Sequence, residues 1–387
     1  MALLSRSRLI AAKIESSYGS DSSPAGTDAV LCTEIDVTPI ESETLSRDTI
    51  RSFLGNSDQL LSNTRVAISI TTELAGSGTA ATASKLDALF RSCGFNVQAL
   101  GSALTGSSQA GSANSITLAA SGPSATDGYY VGHRVAIVSG TGNGHSGLIT
   151  AYNGTTKVAT VVASTATFVP GSSSGYSISA GNKYSPISSS FESCTIKFNN
   201  SGVQHVATGC RGTFSLALST DAIPSVIFNM QGSYNAPTDT SLSGTYTNQT
   251  TPVLFKQGNT SASSVLGYTS AAIQSLNVDI SNDLVSRELV GATKSTIITN
   301  RAPSGEIVIE APTIAQKDYF TIANNNTTGV ISCLHGDSAG NRIGLVMPIC
   351  DIGNPTYSDD AGVQMLNLPF VPTPSSTGND EIALVTM

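Results

Sequence analysis

The feature that most constrains this chain is an ordered series of short motifs that occurs twice. Each copy has a strand pattern, a long loop that begins at a Ser-Arg-acid triplet, a second strand, a short helix and further strands. The two triplets are Ser46-Arg47-Asp48 and Ser286-Arg287-Glu288. From a turn glycine to the last strand, the distance is 26 residues in both copies (228 − 202 and 366 − 340). Matched order and spacing favour an internal duplication over coincidence.

Apolar periodicity predicts the elements inside each copy. Alternating apolar and polar residues, which are typical of half-buried strands, occur at corresponding places in Val66–Ile70 and Ile307–Ile309. A helical face is predicted for the first copy from Leu86, Leu89, Phe90 and Cys93, with Gly94 as the end. In the second copy a helix is predicted to start at Pro312-Thr313, with Ala315, Tyr319, Ile322 and Ala323 on one face.

The sequence therefore predicts a mainly β protein with two tandem β-sandwich or half-barrel domains, each with one short helix, plus an inserted small all-β module. Two stretches rich in Gly and Ser, 101–115 and 171–182, are interpreted as linkers beside the module. Short alternating runs and an Asn153-Gly154 turn signal lie between them. The predicted bounds are an N-terminal arm at 1–29, a first domain at 30–110 and 183–240, the module at 111–182, a linker at 241–264 and a second domain at 265–387.

The low charge content argues against several classes of function. Charged residues make up 12% of the chain and the net charge is −8, whereas a surface that grips nucleic acid needs clustered Lys and Arg. No apolar run has the length of an export signal or a membrane span, so we expect synthesis in a cytoplasm and no membrane partner. The six cysteines lack metal-binding spacing and are interpreted as buried thiols rather than as a disulfide framework.

No pattern in the sequence indicates catalysis. Gly142–Gly147 matches G-x-G-x-x-G, but strand-like residues follow it instead of a helix, so we interpret it as a β-turn. The four histidines are far apart, and no G-x-S-x-G elbow occurs. Asp359-Asp360 lies in a Ser/Gly-rich segment, interpreted as a solvated loop without a calcium-binding pattern. We therefore expect no enzymatic activity, no cofactor and no metal site.

Several segments of the chain are similar to segments of one protein family. They are 12–21, 37–55, 73–79, 89–94 and 209–213. Together they resemble the tail tube proteins of long-tailed, siphophage-like bacteriophages, and the module at 111–182 resembles small β modules of phage virion proteins. The resemblance covers most of the chain, and no catalytic signature is part of it.

This resemblance implies a tail-tube fold, in which rings of subunits close a continuous β-barrel around a lumen. In that family a long loop between two strands reaches the adjacent ring, and residues 47–64 and 287–303 would match it. Tube subunits with one such domain form hexameric rings, so two domains imply a trimeric ring with pseudo-sixfold symmetry. The implied partners are other copies of the chain, a tape measure protein and phage DNA in the lumen without specific binding, and the tail terminator and tail tip proteins. The implied location is the virion tail, assembled in the host cytoplasm and used for genome ejection.

Charged residues near the two triplets are candidates for contacts between subunits or between rings. They are Arg47, Asp48, Arg51, Asp58, Arg65, Arg287, Glu288 and Arg301. The alternative is that they form local ion pairs at strand ends, which stabilise little when exposed. Other functions also remain open from the sequence, namely a capsid decoration protein, a tail completion or terminator protein, or a secreted carbohydrate-binding module. The last of these would need exposed aromatic platforms, and aromatic residues make up only 6% of the chain.

Overall fold

The computed structural model describes residues 6–47, 49–164 and 168–387. These residues form 27 strands and two short α-helices, which confirms the mainly β fold. The first elements are β1 (Arg8–Ile14), β2 (Ala29–Val30), β3 (Glu34–Ser46), β4 (Gln59–Glu73), α1 (Asp87–Ser92) and β5 (Phe95–Leu100). The next are β6 (Leu104–Ser107), β7 (Ala110–Ser112), β8 (Ser115–Thr117), β9 (Arg134–Ser139), β10 (Ser146–Tyr152), β11 (Val158–Ala163) and β12 (Gly175–Ile178).

The remaining elements complete both halves of the molecule. They begin with β13 (Gly181–Pro186), β14 (Cys194–Asn200), β15 (Val203–Ser219), β16 (Ser225–Tyr234) and β17 (Thr238–Asp239). They continue with β18 (Thr260–Val265), β19 (Ile273–Asp279), β20 (Asn282–Arg287), β21 (Ser295–Arg301), β22 (Ser304–Glu310) and α2 (Tyr319–Asn324). The last are β23 (Gly329–His335), β24 (Ile343–Ile352), β25 (Thr356–Asp360), β26 (Val363–Pro372) and β27 (Ala383–Thr386). We refer to β1–β5 with β13–β17 as the first half and to β18–β27 as the second half.

Eight antiparallel strands form a continuous ladder, which we call the long sheet. Their order is β3-β4-β16-β15-β19-β22-β26-β25. Alternate side chains along these strands are buried, as at Ile70, Phe228 and Ile307, because successive residues of a strand point to opposite faces. One face of the long sheet therefore covers the core, and the other face carries the intervening residues.

Strand pairing follows the same register in the two halves. In each half, three neighbouring strands place apolar residues opposite one another on the core side of the long sheet. The corresponding sets are Ile35–Ile70–Phe228 in the first half and Leu276–Ile307–Leu368 in the second. The two halves join where the end of β15 pairs with β19, from Ser215–Asp279 to Ser219–Ser275. This junction lies inside one chain, between strands that the periodicity had predicted separately.

A bulge occurs at the same place in both halves. The ladder between β14 and β15 slips just before Cys210, and that between β23 and β24 slips just before Cys350. Each of these buried thiols donates to the carbonyl three residues earlier, Ala207 at 3.4 Å and Met347 at 3.6 Å. Such a bulge bends the strand. β15 and β24 can therefore each begin in the layer that packs against the long sheet and end within the long sheet or beside it.

The core of the first half is built around α1. Phe90 lies within 5.0–5.2 Å, measured between ring centroids, of Tyr184, Phe214 and Phe228. The helix ends where the sequence predicted, with Cys93 as its C-cap and Gly94 at φ +80°, a conformation that glycine adopts at low cost.

The second helix begins later than the sequence predicted. Residues 312–317 form a separate turn in which the Gln316 side chain accepts from Thr313. The helix then starts at Tyr319, where the Asp318 side chain accepts from the Thr321 amide at 2.9 Å. The prediction of a start at Pro312 was wrong because the acidic N-cap, rather than the proline, satisfies the first free amide groups of the helix.

The strands β6 to β12 form a separate seven-stranded sheet in the order β6-β12-β9-β10-β11-β8-β7, which we call the module sheet. Its own core includes Ile116, Val135 and Ile149. The predicted β-turn at Gly142–Gly147 joins the antiparallel strands β9 and β10. On its outside, Leu148 packs in one cluster with Val346 and Val385 of the second half. These two residues point away from the long sheet, so the module lies on the opposite side of the sandwich from its exposed face.

The two Gly/Ser-rich stretches are not linkers. The first contains β6 and β7, and the second contains β12 and the start of β13. A Cβ atom on Gly106 would lie 2.6 Å from the Tyr176 hydroxyl oxygen, so glycine is needed there for close packing between strands. The prediction failed because small residues have the same composition in a flexible segment and in a closely packed strand.

The buried His133 of the module predicts a pH dependence of stability. Burial lowers its pKa to about 4, and the ring Nδ1 lies 2.9 Å from the Ser179 carbonyl. In the unfolded chain the pKa is about 6.5, so the unfolded state binds more protons between these values. We expect the free energy of unfolding to fall as pH falls from about 6.5 to 4, by up to about 1.4 kcal/mol per pH unit from this residue.

Urea unfolding from pH 4 to 8 measures this effect. The matched variant is His133→Gln, whose amide can donate to Ser179 but does not titrate. Burial also lowers the pKa of His335, so part of the slope is expected to remain in the variant. Equal slopes in the wild type and His133→Gln would contradict the assignment to His133.

Candidate assembly surfaces

The first candidate surface is a hairpin that extends beyond the long sheet. The distal parts of β3 and β4 pair from Glu41–Arg65 to Ser46–Gln59, and we call residues 39–65 the first hairpin. It exposes a series of large apolar side chains. These are Ile40, Leu45, Ile50, Phe53, Leu54, Leu60 and Leu61. Soluble monomers rarely expose so many large apolar side chains close together, because such side chains are unfavourable in water. This hairpin is therefore suited to contact another protein surface.

Charged residues of the first hairpin form ion pairs with one another. Asp58 accepts from Arg47 at 3.2 Å and from Arg51 at 3.4 Å, and the side chains of Arg47 and Asp58 are 55% and 64% exposed. Arg65 forms a two-bond contact with Glu41, at 2.8 and 3.1 Å. Asp48 lies outside the described residues. The loop is shorter than the predicted 47–64, because β4 already begins at Gln59.

The second hairpin lies against its own chain. It consists of β20 and β21, which form a two-stranded sheet of their own, so part of the loop predicted at 287–303 is also strand. The Arg211 guanidinium donates to the Thr296 carbonyl at 3.0 Å, and the Thr296 amide donates to the Tyr18 hydroxyl at 2.6 Å. Asn282 donates to the carbonyl groups of Cys93 and Gly212.

The three candidates on the second hairpin have different surroundings. Arg287 is exposed. Glu288 pairs with Lys294 at 2.9 Å, and the same ammonium group donates to the Thr64 carbonyl of the first hairpin. Arg301 pairs with Glu381 at 2.6 Å, and these side chains are only 12% and 5% exposed. Arg301 is thus held inside the chain, whereas Arg47 and Arg287 face solvent.

The second candidate surface is the pair of terminal strands of the long sheet. Among the described residues, β3 pairs only with β4 and β25 pairs only with β26. Ile35 and Val37 of β3 are half-buried, whereas Leu276 and Val278, at the corresponding positions of β19, are 1% and 2% exposed. The difference arises because β19 is covered by β15, whereas β3 has no paired strand on that side in the described part of the chain. An unpaired strand edge is a template for another strand.

The sequence did not predict β25. Asp359-Asp360 was interpreted as part of a solvated loop, but these residues end a strand that pairs with β26 from Thr356–Asn367 to Asp360–Val363. Tyr357 is 57% exposed and its ring lies 5.5 Å from that of Phe320. The signal that could have revealed β25 was its equivalence to the end of β15, which becomes visible only once the strand pairs are known.

The exposed face of the long sheet is acidic. Seven carboxylate residues alternate with the buried positions along its strands. They are Glu34, Asp36, Glu73, Asp279, Glu306, Glu310 and Asp360. Two arginines share this side of the described ladder, at the end where the hairpins begin, and both are engaged: Arg65 with Glu41 and Arg211 with the carbonyl groups of Phe191, Glu192 and Thr296. The face therefore repels polyanions rather than binding them.

Other kinds of site find little support in the described residues. No group of three or more His, Cys, Asp or Glu side chains there has a metal-binding arrangement. No helix in the described ranges is long and apolar enough to cross a membrane. All six cysteines are described and are present as thiols, five of them buried.

Comparison with known proteins places the chain in context. A sequence model of the family described as phage tail tube protein matches residues 5–372. A search of curated proteins gives no match. The matched range includes both hairpins, the module and all eight strands of the long sheet, the last of which in the sequence, β26, ends at Pro372.

Proposed function

The chain belongs to the family of phage tail tube proteins, and on this premise we propose that its copies join edge to edge through the long sheet to form the rings of the tube. It is a structural protein of the virion. The observation that carries the proposal is the junction between β15 and β19. This junction joins two equivalent halves within the chain, while β3 and β25, at the equivalent outer positions, each have a strand partner on one side only among the described residues.

The number of chains in the ring follows from treating the halves as copies. The matching registers and the matching bulge support the proposal of an internal duplication. If each half takes the place of one subunit in a hexameric ring, three chains close it with pseudo-sixfold symmetry. Three long sheets with strands spaced about 4.8 Å apart and tilted by about 40° would give a barrel about 48 Å across between backbones. Such a bore has room for a DNA duplex.

The acidic face is proposed to line the bore. Few cationic side chains on a lumen wall means few sites to trap phosphate groups, so the tape measure protein and later the genome could pass with little friction. The module is attached to the opposite side of the sandwich, so with the acidic face toward the bore the module would lie outside the tube, where it does not block passage. These features suit a long, non-contractile tail that is assembled in the host cytoplasm, capped by terminator and tip proteins, and used as a conduit for genome ejection.

Electron cryo-microscopy of tubes grown from the purified protein tests this proposal. We expect stacked rings of three chains, with the face that carries Glu306 and Asp279 toward the bore and the module outside. Rings with a basic bore, a module inside the lumen, or a purified protein that never forms tubes under any condition that assembles native tails would overturn it.

A further inference from the structure

The two halves differ in charge at one equivalent position. Arg211 of β15 is paired with Gln231 of β16, and Asp351 of β24 is paired with Val371 of β26. Both follow the matching bulge by one residue, since Cys210 and Cys350 are the bulge thiols. The sequence contains a cation at this position in the first half and an anion in the second.

Arg211 holds the second hairpin in place. Its guanidinium donates to Thr296 of that hairpin at 3.0 Å and lies 4.8 Å from the centre of the Tyr18 ring. The neighbouring anchor is Asn282, which donates to the carbonyl of Cys93, the C-cap of α1, at 2.7 Å. The second hairpin thus covers one specific surface, formed by the residue after the bulge and by the end of the helix.

The corresponding surface of the second half is uncovered. One carboxylate oxygen of Asp351, Oδ1, is shielded from solvent and has no hydrogen-bond partner. Val371, at the position of Gln231, is 49% exposed. Asn325 and Asn326, which follow α2 as Cys93 and Gly94 follow α1, are also exposed. A buried carboxylate oxygen without a partner is costly, and the uncovered apolar side chain beside it indicates that a partner is missing here.

We infer that the surface formed by Asp351, Val371, Asn325 and Asn326 receives the first hairpin of an adjoining copy of this chain. The inference rests on the proposed ring, in which β3 of one chain pairs with β25 of the next as β19 pairs with β15. In that arrangement the first hairpin of one chain lies on the second half of the adjoining chain, just as the second hairpin lies on the first half of its own chain. The exposed apolar side chains of the hairpin cover Val371.

Charge complementarity supports a contact between Arg47 of the first hairpin and Asp351. The first hairpin carries Arg47, 55% exposed and near the start of its turn, and it can donate to the Asp351 carboxylate. The second hairpin instead offers a backbone carbonyl, at Thr296, to Arg211. Both hairpins carry an arginine at this place, since Arg287 is the counterpart of Arg47. Arg211 repels such an arginine, and Arg287 is exposed, whereas Asp351 attracts it, so the inverted charge allows an ion pair at the junction between chains that the junction inside the chain does not allow.

Cross-linking between two singly labelled proteins tests the contact. In a Cys32→Ser background, which removes the one cysteine that is not fully buried, Arg47→Cys protein is mixed with Asp351→Cys protein and assembled. We expect oxidation to yield a covalent pair of chains. The matched control is Arg287→Cys mixed with Asp351→Cys, which should give at least tenfold less product because the second hairpin lies on its own chain. Tubes that form without the Arg47–Asp351 product would overturn the docking and leave the tube role intact.

A charge exchange provides a second test that does not depend on cysteine chemistry. Arg47→Asp and Asp351→Arg should each lower tube yield at least tenfold, and the double variant should recover most of the loss. A double variant no better than either single variant would overturn the contact. Failure of the wild-type protein to form tubes would instead overturn the proposed function on which the contact rests.

Discussion

Val37→Asp is expected to abolish tube assembly while leaving the isolated chain folded. Val37 is the counterpart of Val278, which is 2% exposed at the junction inside the chain. Val278 pairs there with Leu216, whose counterpart in the second half is Tyr357. In the proposed ring, Val37 would therefore pair with Tyr357 of the next chain. A carboxylate buried there without a partner costs several kcal/mol. We expect the lowest protein concentration that yields tubes to rise at least 100-fold.

Sedimentation and negative-stain microscopy measure assembly, and thermal unfolding of the unassembled protein measures folding. The matched control is Val138→Asp, because Val138 is 55% exposed on the module sheet, away from both strand edges. Assembly of Val37→Asp at the wild-type concentration, with its melting temperature unchanged, would exclude β3 as the joining strand.

Arg301→Ala is expected to destabilise the folded chain by about 3–5 kcal/mol, because it leaves the Glu381 carboxylate buried and without its partner. Glu381 is 4% exposed, and its Oε1 accepts from Arg301 at 2.7 Å. The same guanidinium also donates to the Ile187 carbonyl at 2.8 Å, so the loss extends to the segment that follows β13.

The matched comparison is Arg47→Ala, which removes an exposed pair with Asp58 and should change the free energy of unfolding by less than about 1 kcal/mol. Denaturant unfolding of the unassembled proteins measures both changes. Equal effects of the two substitutions would contradict the distinction between an arginine that stabilises the fold and one that is available for assembly.

Local pattern was sufficient for the strands and helix that depend on their own periodicity. Val66–Ile70 and Ile307–Ile309 lie in β4 and β22, and α1 ends just before Gly94, the predicted stop. In each case the apolar side chains that create the sequence pattern are also the ones that are buried. The local pattern was therefore enough to predict the element.

Features that depend on residues distant in the sequence could not be predicted from the local pattern. The role of Gly106 is set by Tyr176, seventy residues away in the sequence (176 − 106). The strand character of Thr356–Asp360 is set by pairing with β26, and its polar residues gave no alternating signal. Asp351 was likewise not a candidate, because its possible role is recognised only once the structure shows that it occupies the position equivalent to Arg211.

The covalent link across the β15–β19 junction has a kinetic consequence. In a ring of three chains, every second contact between halves is already made inside a polypeptide, at an effective concentration of the order of millimolar or higher. Initiation of a ring then requires the meeting of three bodies instead of six, so fewer bodies lose their translational freedom when the ring closes. Joining the halves therefore allows a growing tail to begin at lower subunit abundance than six separate polypeptides would need.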